Sequence, residues 1–188
     1  MKILIIEFWD LTPHFETGLE IALNHLQNGD SVYYAFWGYS TPFPNPVDQK
    51  QRNQTKAARG VAFLEGFSNF HHISYQPSNR KSSWPIFSSL NQLFHYSLPN
   101  HIYPGYSIYA SLGFPTIQPD FRNTQVQDRV TAMLSSYDSV FESSSFLANS
   151  ICPDFSYIFN GVHLHQNAAA SALKANGINV CFHERGST

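Results

Sequence analysis

Residues Phe155 to Thr188 constrain the fold more than any other stretch. They read FSYIFNG, VHLHQNAAASALKANG and INVCFHERGST. A short apolar run, an alanine-rich run closed by Gly177 and a second apolar run form a strand–helix–strand unit. Asn160 and Gly161 follow the first strand; Glu184, Arg185 and Gly186 follow the second. In an open α/β sheet, ligands bind outside the carboxyl ends of the strands. These polar residues therefore stand where chemistry is expected.

The start of the chain repeats the pattern. Lys2 to Phe8 (KILIIEF) is a continuous apolar run of strand length, as a strand buried on both faces requires. Thr12 fits an N-cap and Pro13 the first helical position. Phe15, Leu19, Ala22, Leu23 and Leu26 then mark one helix face, closed by Asn28 and Gly29. Ser31 to Trp37 reads as the second strand, which makes a right-handed βαβ unit with a parallel sheet. Residues 38–48 contain three prolines and form a loop. Residues 49–66 read as a helix with Ala57, Ala58, Val61 and Leu64 on one side. A third strand is expected over 69–75, a polar loop over 76–84 and a helix from Pro85 to about Leu98. A short helix is expected over 107–112. Residues 124–149 read as helix, broken near Ser135 and Ser136. The order β-α-β-α-β-α-α-β-α-β predicts one doubly wound, Rossmann-like α/β domain over 1–188, with a mostly parallel sheet and helices on both faces.

Composition excludes several functions. The net charge is −2 with no long basic run, so nucleic acid finds no electrostatic footprint. No run reaches the length of a transmembrane helix, and the first residues read as a buried strand rather than a targeting segment. A cytoplasmic location is expected. Cys152 and Cys181 are the only cysteines and form no C-x-x-C pair, so both should stay reduced, Cys181 as a small hydrophobe within its strand. His163, His165 and His183 lack a carboxylate or cysteine at ligand spacing, so no metal is expected. EFWDLTPHF contains no glycine after the first strand, which argues against a Rossmann dinucleotide site and leaves no cofactor implied. Sixteen Phe and ten Tyr supply either a large aromatic core or a concave face that stacks on rings such as sugars; the core reading is preferred.

Several pieces resemble one family. PHFETGLEIALNHLQNGDSV resembles the first helix of GT-B glycosyltransferase N-terminal domains. YIFNG followed by CFHERG is similar to capsule polysaccharide biosynthesis sugar transferases, in which one strand ends in Asn-Gly-Arg and a later one in Glu-Arg-Gly. The arginine after Asn-Gly is Val162 here. The resemblance implies a GT-B N-terminal-domain fold and the acceptor-side half of a longer two-domain protein. It implies a sugar acceptor as partner, with the nucleotide-sugar donor held mainly by a C-terminal domain. Such a half would transfer no sugar alone, and its exposed apolar face would suit a homodimer.

Within this frame Glu184 is the candidate base for an acceptor hydroxyl, and Arg185 the cation for a leaving phosphate. His14 opens the first helix, where a neutral imidazole can act as base with Asp10 orienting it. Asn160, Gly161 and Gly186 are the candidate substrate-binding residues. Each has a plain structural alternative: an exposed ion pair for Glu184 and Arg185, a helix cap at Asp10, and ordinary turns at the glycines. A non-catalytic α/β module that binds a ligand or a partner through the proline-rich segment 99–121 is the other functional class.

Overall fold

The computed structural model describes residues 1–9, 12–38, 41, 47–76, 78, 83–112 and 119–184, with the backbone only over 47–55. Five parallel strands form the sheet: β1 (Lys2–Glu7), β2 (Ser31–Phe36), β3 (Phe70–His72), β4 (Phe155–Phe159) and β5 (Val180–His183). Their spatial order is β3-β2-β1-β4-β5. The chain runs outward from β1 through β2 to β3, then crosses to β4 and β5 on the other side. The strand order thus reverses between β1 and β4, where Ile3 pairs with Phe155 and Ile6 with Ile158.

Alternation along the strands divides the core into two layers. Ile3, Ile5, Val32 and Tyr34 pack on α1 (His14–Gln27) and α2 (Val47–Leu64), through Phe15, Ala22, Leu26, Ala57, Val61 and Leu64. Leu4, Ile6, Ala35 and Ile158 point the other way. They meet α5 (Thr124–Ile151) and α6 (Leu164–Ala175) through Tyr137, Val140, Leu147, Ala168 and Leu173. Each fully buried Val, Leu or Ile among them contributes roughly 1.5–3 kcal/mol. Two short helices, α3 (Leu90–His95) and α4 (Gly105–Ser111), precede α5.

Five local expectations are corrected. Thr12 does not cap α1; Pro13 occupies that position with no side-chain cap. Thr12 instead donates to Glu16 Oε1 at 3.0 Å and accepts from Lys56 Nζ at 2.7 Å, tying α1 to α2. Ala58 is exposed rather than on the buried side of α2. The helix expected from Pro85 shrinks to α3, capped by Ser89, which accepts from the Gln92 amide. The amide of Phe87 donates to Gln127 Oε1 at 3.3 Å and its carbonyl accepts from Gln127 Nε2, so a side chain of α5 replaces helical bonds there. Residues 124–151 form one unbroken helix. Ser135 Oγ donates back to the Thr131 carbonyl at 3.0 Å, sharing that acceptor with the helix ladder without breaking it, and Ser136 Oγ lies 2.8 Å from His165 Nε2, away from the ladder. Cys181 and Cys152 are free thiols, but both are exposed. Cys181 lies on β5, an edge strand of the sheet.

Candidate functional site

A cavity of about 250 Å³ opens at the point where the strand order reverses. Phe8 and Trp9, just past β1, form one wall; Gly38, past β2, and Ala110 and Ser111 of α4 form another. His163, Leu164, His165 and Gln166, which open α6 after β4, close it. Its position is the one the doubly wound topology assigns to ligands. Its volume is close to the roughly 300 Å³ lower end of ligand-sized clefts.

The turn from β4 into α6 sets the geometry. Asn160 and Gly161 both have positive φ, 56° and 79°. A Cβ at Gly161 would lie 2.3 Å from the ring of Phe182, so the close approach that this glycine permits is to a side chain of β5. Asn160 Oδ1 accepts from the Val162 amide, and Asn160 Nδ2 donates to Glu184 Oε1, both at 3.1 Å. His163 then takes the N-cap position of α6 without a side-chain cap. Its ring lies 4.6 Å from that of Trp9, centre to centre. Burial pushes the His163 imidazole down from its ordinary value, partly offset by the charge of Glu184. His165 stacks on Phe8 at 5.5 Å, and burial pushes it down to about 4, so it is neutral near pH 7.

The first turn of α6 leaves donors over. The Leu164 amide is taken by Ser111 Oγ at 2.9 Å, whereas the amides of His165 and Gln166 have no acceptor among the described residues. Gln166 is 1 % exposed, and neither its side-chain oxygen nor its nitrogen has a hydrogen-bond partner.

Of the residues anticipated from sequence, His14, Asn160, Gly161 and Glu184 stand at this end of the sheet but are not among the described residues that line the cavity. His14 packs on Phe159 with ring centres 4.2 Å apart. Phe159 alternates with Ile158 and so points, with Phe155 and Tyr157, toward the α1 face. The cavity opens on the α6 face beside Phe8, so the edge of β4 separates His14 from it. Asn160 and Glu184 meet each other on the rim, next to His163. Asp10, Arg185 and Gly186 lie outside the described residues. Trp9, Ser111, His163, His165 and Gln166 are the additions. A signal for Gln166 existed: it shares the buried stripe of α6 with Ala169, Ala170 and Leu173, and a polar residue on an apolar stripe is informative.

Among the described residues no three His, Cys, Asp or Glu side chains assemble as a metal site, and no helix is long and apolar enough to cross a membrane. The chain matches no protein-family model and no curated protein.

Proposed function

We propose that this chain is a ligand-binding α/β domain that takes a sugar acceptor in the cleft lined by Phe8, Trp9 and His163. In this reading it is the acceptor-side half of a GT-B-type glycosyltransferase in surface polysaccharide synthesis. The observation that carries the reading is the cleft itself, at the reversal of strand order, with one ring-lined wall and a polar floor. A sugar presents C–H faces that pack on rings such as Trp9, and hydroxyls that need polar partners. In this reading the carboxylate of Glu184 accepts a proton from an acceptor hydroxyl at the rim; its hydrogen bond from Asn160 and its charge beside His163 support that role. A nucleotide-sugar donor would be held by a second domain, so this chain binds without turning over.

Titration of the chain with free sugars, followed by Trp9 fluorescence and by the His163 ring resonances, tests the reading. Saturable changes at both residues, weakened at least about tenfold by Trp9→Ala, are expected. Unchanged signals across the panel overturn the sugar assignment.

A further inference from the structure

We propose that the inner end of the same cleft is an oxyanion site, so that the ligand carries a phosphate group seated on the N-terminus of α6. The inference rests on the cleft being the ligand site and specifies the chemistry of one end of the ligand.

The residues that line that end carry four donor groups. The free amides of His165 and Gln166 are two of the orphan donors at a helix start. Ser111 Oγ already accepts from the Leu164 amide, which leaves its hydroxyl proton to donate elsewhere. The side-chain nitrogen of Gln166 is buried without a partner in the wall of the cavity. A buried, unpartnered amide is costly unless something completes it. The aligned peptides of the 12-residue α6 add roughly half a positive charge at this end. An anion answers these donors at once, provided that the Gln166 side-chain oxygen, also unpartnered, is turned away from it.

No other described feature of the cleft competes for the site. Its imidazole at His165 is neutral near pH 7 and is engaged with Ser136. The Glu184 carboxylate, the charge that would repel an anion, is turned to Asn160 at the rim. The usual phosphate cradle of a Rossmann-like domain, a glycine-rich turn after the first strand, is missing from EFWDLTPHF. The equivalent donors here follow β4, on the other side of the strand reversal.

Amide NMR of the intact chain tests this with three probes: inorganic phosphate, glucosyl phosphate and glucose. Inorganic phosphate should shift the His165 and Gln166 amides. Glucosyl phosphate should shift these and the Trp9 indole, and bind at least about tenfold more tightly than glucose. Gln166→Glu, close in shape but anionic, should abolish the phosphate response; Ser111→Ala should weaken it about tenfold. An unchanged spectrum away from the cleft confirms that each variant folds. If glucose moves Trp9 but no phosphate moves the α6 amides, the oxyanion site is overturned and the sugar reading stands. If phosphate moves those amides and glucose leaves Trp9 unmoved, the oxyanion site stands and the sugar reading falls. If no probe moves either, both fall.

Discussion

His183 Nε2 lies 2.7 Å from Glu7 Oε1, joining the carboxyl ends of β1 and β5 across the intervening β4. The two side chains are 7 % and 1 % exposed. The contact is close but not aligned as a hydrogen bond, and Oε1 and both ring nitrogens have no aligned partner. Burial pushes the Glu7 carboxyl above its ordinary value, and the facing His183 only partly opposes this. The pair holds an edge strand to the centre of the sheet, and removing one member leaves the other buried and alone.

Glu7→Ala, which leaves the His183 ring buried and unsatisfied, should therefore destabilise the chain by about 1–3 kcal/mol. Glu7→Gln should cost less and change the pH dependence. Folded Glu7 retains its proton where the unfolded chain has lost it. Its contribution is thus fully present below the ordinary value of 4.5 and is lost as pH rises through the raised folded value. Urea unfolding across that window should show Glu7→Gln gaining on the wild type as pH rises. Parallel curves would contradict the raised carboxyl.

Gly18 of α1 sits over this carboxylate. A Cβ there would lie 2.3 Å from Glu7 Oε1. Alanine normally strengthens a helix by about 1 kcal/mol over glycine. Overpacking the buried Glu7 side chain should outweigh that, so Gly18→Ala is expected to destabilise by roughly 1–2 kcal/mol net. In a Glu7→Ala background the same change should become neutral or stabilising. A double-mutant cycle with no coupling would refute the contact.

His165 gives the opposite slope. Its folded value of about 4 lies below the ordinary 6.5. Stability from keeping it neutral is present above the unfolded value and disappears as pH falls through the folded one. The loss is at most roughly 3 kcal/mol, because water reaches the ring through the cavity. His165→Gln should flatten the acid limb of a melting-temperature profile. An unchanged acid limb would show that the imidazole is not held neutral by burial.

Glu184 and His163 are coupled at the rim. Burial lowers His163, and the Glu184 charge partly restores it. Glu184→Gln should lower the His163 value further, read from its ring resonances during a pH titration. A rise, or no change, would mean that the carboxylate does not face the ring.

Much of the scaffold was legible without coordinates because its signals are local. Continuous apolar runs marked β1 and β2, and the spacing of Phe15, Ala22 and Leu26 marked α1. The unit from β4 through α6 to β5 was readable in the same way, down to its closing Gly177 at φ 77°. The same local rules misread Ser135 and Ser136 as a break and Pro85 as a helix start. In both places a partner distant in sequence, His165 or Gln127, supplied the deciding hydrogen bond.

The sequence by itself determined the strands, the helices α1 and α6, the parallel sense of the sheet and the end of it where Asn160 and Glu184 stand. Only the tertiary structure decided which of those residues share a space. It set β4 beside β1, which brought Trp9 to His163 and Glu7 to His183. It also put His14 on the opposite face of β4 from the cavity. The physical reason is that periodicity within a short window reports how deeply a face is buried. It carries no information on which distant strand will lie against it, and a site is made from those long-range neighbours.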